Sequence, residues 1–185
     1  MAHRFPEDAK ARLRDERRRQ VQPAEELVAR MAPRAEERVA DLGSGTGYVT
    51  VPLARRVRMV VAVDAQRGML ETLRELAPGA DNIVPVVAAV PPIPLADASM
   101  DRVVLVNVLH EVEPKDVLAK EVRRVLRPGG RLSIVDFPRR ETSFGPPVEE
   151  RIEPDEAAAL FPSFTTKGRW ELSEYYQLEL EKLEK

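Results

Sequence analysis

Three glycines and two aspartates have the types and spacing to hold a ligand. Residues 39–53 read V-A-D-L-G-S-G-T-G-Y-V-T-V-P-L. Gly43, Gly45 and Gly47 alternate, Asp41 stands two positions before the first, and Asp64 ends the next apolar run, 59–63. Glycine lets a backbone turn sharply and lie close to a ligand. A helix that begins just after such a turn offers free N–H groups to polar ligand atoms. An acid at the end of the following strand is where a ribose diol is gripped in a doubly wound nucleotide-binding fold. The glycines run G-x-G-x-G, not the dinucleotide fingerprint G-x-G-x-x-G, so the segment reads as a mononucleotide-type site.

Other chemistry-bearing residues are few. His110 can titrate near neutrality and is the foremost base candidate, with Glu111 or Glu113 to orient it; Asp136 is a second candidate. Each also has a purely structural reading, His110 as a packed or capping side chain. Tyr48 reads equally as a wall of the site or as packing. Phe5, Phe144, Trp170, Tyr175 and Tyr176 are candidates for an apolar substrate wall, with plain packing as the alternative. There is no G-x-S-x-G elbow, no H-E-x-x-H and no phosphate-loop lysine. With His3 and His110 the sole histidines and no cysteine, no histidine-rich or thiolate metal site is expected.

The elements that must position these residues alternate. Residues 7–19 look helical, and Leu27, Val28 and Met31 give the next helix one apolar face between Pro23 and Pro33. Strands are expected at 38–42, 58–63, 82–87, 102–106 and 131–137. Helices are expected at 48–55, at 69–77, where Met69, Leu70, Leu73, Leu76 and Ala77 recur at helical spacing, and through Val117, Leu118, Val122, Val125 and Leu126. Such an order predicts a parallel sheet with right-handed crossovers and helices on both faces. The ligand then lies beyond the carboxyl ends of the first strands. Residues 138–153 read as a loop, 154–161 as a short helix and 164–172 as a strand. Residues 176–183 read as a strand by alternation, although Tyr176, Leu180 and Leu183 also fit a helix. The N-terminal segment 1–22 and the loop 138–153 are expected to cover the pocket together.

A chain of 185 residues, 43% hydrophobic, fits one domain with a substantial core. No apolar run approaches the ~20 residues of a membrane span, and the charged N-terminus lacks the apolar centre of a signal peptide, so a cytoplasmic protein without a membrane partner is expected. A net charge of −2 creates no general attraction to nucleic acid. The cluster Arg12, Arg14, Arg17, Arg18 and Arg19, interrupted by Asp15 and Glu16, reads as a solvated helix face rather than a phosphate-contacting arm.

Further segments share one pattern. Residues 94–101, P-L-A-D-A-S-M-D, are similar to the P-F-x-D-x-S-F-D stretch of small-molecule methyltransferases; 107–111, N-V-L-H-E, and 126–132, L-R-P-G-G-R-L, match its later turns. Over roughly residues 36–137 the chain resembles class I S-adenosylmethionine-dependent methyltransferases, most of all the ubiquinone/menaquinone-biosynthesis-like (type 11) branch. The resemblance implies an α/β, Rossmann-like doubly wound sheet, mostly parallel, with an antiparallel C-terminal strand. It divides a single domain into a helical cap (1–34), a cofactor-binding core (36–137) and a C-terminal loop, helix and edge strands (138–185). It implies S-adenosylmethionine as cofactor, with Gly43, Ser44, Gly45 and Gly47 against its methionine and ribose. Asp41 would hold its amino group, Asp64 the ribose hydroxyls, Ala65 and Met69 would flank adenine, and Asn107 would turn a carbonyl toward the amino group. Ala89 stands where the family often has an acid for the adenine amino group, a loss of about 0.5–1.5 kcal/mol; the Val90 N–H still fits an adenine nitrogen.

The expected function is methyl transfer to a small molecule, by a monomer or homodimer. A binding protein without turnover is the second reading, since no strong base is evident. A nicotinamide-dependent oxidoreductase is a third, disfavoured by the glycine spacing, and nucleic-acid methylation lacks both charge and motif.

Overall fold

β1 (Arg38–Leu42) is a run in which every residue after Arg38 is buried, and it lies inside a seven-stranded sheet. The computed structural model describes residues 16–184. On one side of β1 lie β2 (Met59–Asp64) and then β3 (Ile83–Val87); on the other lie β4 (Met100–Val106), β5 (Leu126–Asp136), β7 (Tyr176–Lys182) and, at the edge, β6 (Phe164–Glu171). β1 to β5 run parallel, whereas β7 is antiparallel to both β5 and β6. The strand order reverses between β1 and β4, so a crevice opens past their carboxyl ends, as in other doubly wound sheets.

Side-chain alternation sorts the two faces. Val103 and Leu105 of β4 join Leu118, Val122 and Val125 of α5 (Lys115–Val125) in one core, with Ala157 of α6 (Pro154–Ala159). Val104 and Val106 join Leu27, Val28 and Met31 of α2 (Ala24–Met31) and Leu53 of α3 (Thr50–Ala54) in the other. Leu70 and Leu73 of α4 (Arg67–Leu76) cover Ala62 of β2. A fully buried leucine contributes about 1.5–3 kcal/mol, so these helical stripes secure the sheet on both faces.

Several expected boundaries move. The first helix is described only as α1 (Glu16–Val21); the expected residues 7–15 and Phe5 lie outside the described part. α3 begins at Thr50, not at 48, because the glycine turn continues through Val49. β5 begins directly where α5 ends and takes in Pro128–Gly130, with a register shift against β4 between Met100 and Arg102. Both expected C-terminal strands form, as β6 and β7. β7 has two buried faces: Leu178 and Leu180 enter the apolar core, while Gln177 and Glu179 meet a buried polar group. There Arg102 binds Glu37 (3.0 Å), Glu179 (2.8 Å) and Ser133 (2.8 Å), and Gln177 donates to Glu179 (3.1 Å).

Candidate active site

The glycine turn follows β1 directly. Gly43 and Ser44 both donate backbone N–H bonds to Val63 of β2, at 2.8 and 3.1 Å, which curls the turn over the end of the neighbouring strand. At Gly43, φ is +71°, and a Cβ there would stand 2.5 Å from Cγ2 of Val108. At Gly47, φ is +88° and the clash is with Leu73, at 2.2 Å. Glycine at these two positions is therefore required by backbone conformation and by close approach at once.

Two carboxylates flank this turn. Asp64 accepts the Gly45 N–H through Oδ2 and the Gln66 N–H through Oδ1, both at 2.8 Å. Each oxygen of a carboxylate has two lone pairs, so one per oxygen is left for a diol. Burial raises the Asp64 pKa; the two backbone N–H groups oppose the rise and the charge of Glu111 adds to it. Asp41 is 3% exposed and accepts the Thr50 hydroxyl at 2.5 Å. Burial lifts its pKa to about 6; the Thr50 hydrogen bond opposes the rise, the charge of Asp64 adds to it and Arg18 opposes it. Ser44 contributes a buried hydroxyl with no protein partner. The arrangement suits a ligand with a ribose diol and a cationic end.

The remaining expected contacts fall around this turn. Ala65 follows Asp64 on the loop into α4, whereas Met69 is 1% exposed, so its side chain belongs to the floor rather than to an open wall. Val87 pairs with Asp64 in register, and the Ala88 N–H donates to the Asp64 carbonyl (3.0 Å), which brings exposed Ala89 and half-buried Val90 alongside Asp64. Asn107, just past β4, sits at φ 58° and bonds the Val135 carbonyl through its N–H at 2.7 Å. Its side-chain amide forms a reciprocal pair with Gln22, at 2.9 and 3.1 Å. Gln22 is fully buried, and its carbonyl accepts the Tyr48 hydroxyl at 2.8 Å. Tyr48 thus packs the end of α1 onto the glycine turn.

The two catalytic candidates form one unit. His110 Nδ1 lies 2.6 Å from Asp136 Oδ1, and the His110 backbone N–H donates to Oδ2 at 3.2 Å. The Phe137 N–H holds Oδ1 from the other side at 2.9 Å. Asp136, not Glu113, orients the ring; Glu113 pairs with Lys115, and Glu111 lies 3.6 Å from Nε2. Burial works hardest on His110 and disfavours its charge, but Asp136 and Glu111 together outweigh it and hold the pKa at about 9. The ring is therefore an imidazolium at neutral pH, which corrects the expectation of a base titrating near 7.

Aromatic walls divide similarly. Phe144 packs edge-on against Phe137 (5.2 Å), and Phe137 against His110 (6.3 Å), so the loop after β5 reaches the histidine. Tyr175 and Tyr176 are 2% and 1% exposed and belong to the core. Trp170 lines a cleft with Arg34, Glu37 and Lys167, at the ends of β1 and β6 away from the glycine turn. Among the described residues no cluster of histidine and acidic groups is placed to hold a metal ion, and no helix is long and apolar enough to cross a membrane.

Thr50 and Gln22 escaped the sequence reading, and Arg18, read there as part of a solvated helix face, is instead buried. Thr50 is nine positions from Asp41, and Gln22 eighty-five from Asn107, with no motif joining either pair.

Comparison with known proteins agrees with this geometry. A methyltransferase domain model matches residues 40–134, just over half of the chain. An uncharacterized methyltransferase of Mycobacterium tuberculosis is 43% identical over 110 residues, 60% of this chain and 44% of that protein. A demethylmenaquinone methyltransferase of Clavibacter sepedonicus is 41% identical over 58% of this chain and 44% of its own length. The chain thus spans about half the length of these relatives or less. Among solved structures, a SAM-dependent methyltransferase from Aquifex aeolicus superposes with a TM-score of 0.89 at 22% identity, covering 97% of this chain and 100% of that one. The [4+2]-cyclase SpnF superposes with a TM-score of 0.76 at 16% identity, over 86% of this chain and 80% of that one.

Proposed function

The chain belongs to the methyltransferase domain family, and from that premise we propose that it transfers a methyl group from S-adenosylmethionine to a small-molecule acceptor. The observation that carries this reading is the pair Asp41 and Asp64, desolvated on either side of a glycine turn that only glycine can make. Both carboxylates are made costly by burial, and a cationic ligand relieves that cost. When bound, the cofactor supplies a methyl group already activated on a sulfonium sulfur. The chain's own residues have three tasks: to hold the ribose and amino-acid ends, to align an acceptor and to exclude water.

His110 and Asp136 suit the second task. A charged imidazolium fixed by a buried carboxylate is a hydrogen-bond donor, not a base, at neutral pH. It favours an acceptor that arrives with an anionic oxygen, because the positive charge lowers that oxygen's pKa. Phe144 and Phe137 offer an apolar face beside it. A relative named for demethylmenaquinone provides a precedent for a quinone-type ring as the acceptor. The Gln22–Asn107 and Tyr48–Gln22 bonds support a cap that α1 contributes over the glycine turn.

The test is calorimetry with S-adenosylhomocysteine and NAD, then transfer of labelled methyl to a small-metabolite extract. Binding of S-adenosylhomocysteine with a labelled small product is the expected result; NAD binding alone eliminates the proposal. A second reading, binding without turnover, draws on the same charged His110, which leaves the site without a free base, and on a fold neighbour named as a cyclase. Cofactor binding with no labelled product from any extract selects it.

A further inference from the structure

Arg18 is a buried charge that the function described above does not use. It is 8% exposed, and its Nε, fully shielded from solvent, has no hydrogen-bond partner. Its guanidinium lies 4.0 Å over the ring of Tyr48, the residue that follows Gly47 and closes the glycine turn. The aromatic face fixes the plane of the guanidinium but neutralises no charge. Among the described residues no carboxylate comes within ion-pair distance of it; Asp41 acts on it only at longer range. Burial lowers its pKa to about 10, against the pull of Tyr48 and Asp41. A cation in this position has lost its hydration without gaining a counter-ion among the described residues, which is a costly state for a side chain serving only as structure.

The place matters as much as the cost. The Tyr48 ring under Arg18 is two residues from Thr50, whose hydroxyl bonds Asp41, so Arg18 and Asp41 share one side of the turn and each perturbs the other's titration. Ser44, between Asp41 and Gly45, adds a buried hydroxyl with no partner. A carboxylate, a guanidinium and a hydroxyl set together are the complement of a free α-amino acid: ammonium to Asp41, carboxylate to Arg18. The planar fork of arginine matches a carboxylate through two parallel N–H bonds.

We infer that Arg18 is a binding residue for the carboxylate of an α-amino-acid head group, which it anchors against Tyr48. The inference rests on the proposed cofactor, whose methionine end is such a head; the other source of a carboxylate is the methyl acceptor. Arg18 then does two things. It discriminates the intact amino-acid end from ligands that lack a carboxylate. It also ties ligand binding to the seating of α1, because the end of α1 is held on the turn through Gln22, Tyr48 and Asn107.

Two ligands and two variants test this by calorimetry. The ligands are S-adenosylhomocysteine and its decarboxylated analogue, which differ only in the carboxylate. The variants are Arg18→Met, which keeps a long apolar stem over Tyr48, and Arg18→Lys, which keeps charge without the fork. Removing one partner of a buried charge pair lowers affinity by about 30-fold or more, so Arg18→Met is expected to weaken S-adenosylhomocysteine by at least that factor. The decarboxylated analogue should bind wild type and Arg18→Met equally, within about threefold, and Arg18→Lys should fall between for the parent ligand. The melting temperature of ligand-free Arg18→Met should not fall, since no pair is broken. Equal loss for both ligands makes Arg18 a packing residue and overturns the inference. Unchanged affinity for S-adenosylhomocysteine also overturns it, and moves any carboxylate partner to the acceptor. Wild type that binds neither ligand sinks the cofactor assignment itself, which separates that failure from the other two.

Discussion

Replacing Asp41 by asparagine should stabilise the ligand-free protein and cripple its cofactor binding. Burial holds the Asp41 pKa at about 6, against an ordinary value of 3.8. The folded value is raised, so the native state prefers the protonated acid. The resulting stability is fully present below pH ~4 and is lost as pH rises through ~6. At neutral pH the native chain therefore carries a penalty of roughly two pK units, at ~1.4 kcal/mol each, or about 3 kcal/mol. Asparagine is never charged and escapes it, and its carbonyl still accepts the Thr50 hydroxyl. Its amide hydrogens are new buried donors, and an unmet one costs ~1–3 kcal/mol. The net gain is then ~0–2 kcal/mol, a rise of up to about 8 °C in melting temperature for a chain of this size. Against this, loss of the carboxylate opposite a ligand ammonium should weaken S-adenosylhomocysteine by ~30-fold or more. Thermal melts without ligand at pH 7.5 and 5.0, with calorimetry at pH 7.5, form the assay. The stability gain should shrink at pH 5.0, where wild-type Asp41 is itself mostly protonated. A variant less stable than wild type at both pH values, or one with unaltered ligand affinity, would refute the reasoning.

Three further outcomes are expected. Asp64→Ala should weaken S-adenosylhomocysteine by ~10-fold or more, because two ligand hydroxyls lose a charged acceptor; an unchanged calorimetric affinity would place the ribose elsewhere. Gly43→Ala should unfold at lower denaturant by ~2 kcal/mol or more, since a left-handed φ and a 2.5 Å contact with Val108 act together, whereas a variant as stable as wild type would show that the turn and the segment after β4 are not packed as described. With the His110 pKa at about 9, a donor role gives turnover that is level near pH 7–8 and falls above ~9, while a base role gives turnover that climbs toward 9; in Asp136→Asn the inflection should move down by more than one pH unit, as the imidazolium loses its main charge partner.

What could be read from sequence was what lies close along the chain. The glycine turn, its two acids and the strand–helix alternation are local patterns: each element carries its own buried stripe and its own breakers. Long-range pairings are different, because they depend on register. His110 and Asp136 looked like two alternatives, yet parallel pairing of β4 and β5 ends both strands at one level and makes them partners. The ambiguity over 176–183 has a similar cause. Alternation of leucine with Gln177 and Glu179 suggests one wet face, but both faces are buried, and on the polar one Glu179 pairs with Arg102 from the start of β4 and accepts from Gln177. Trp170 and Tyr175 were candidates for the pocket on residue type alone; strand order, which residue type does not encode, carries Trp170 to a different end of the sheet and Tyr175 into the core.

The two ends of the crevice are charged on opposite principles. Around His110 every charge is matched: Asp136 is fully buried but accepts three N–H groups, and the imidazolium stands between two carboxylates. Around the glycine turn the charges are unmatched, with Asp41 and Asp64 raised in pKa and Arg18 lowered. A matched charge keeps its geometry without a ligand, which suits a group that must orient an acceptor. An unmatched one stores unfavourable solvation that a ligand of complementary charge releases, which concentrates affinity at the amino-acid and ribose end. On the proposed placement of the cofactor, that asymmetry would let the chain tolerate Ala89. The adenine hydrogen bond that an acid there would provide is worth about 0.5–1.5 kcal/mol, whereas each charged contact at the other end is worth ~2 kcal/mol or more. Affinity built on the charged end can absorb the smaller loss at the base.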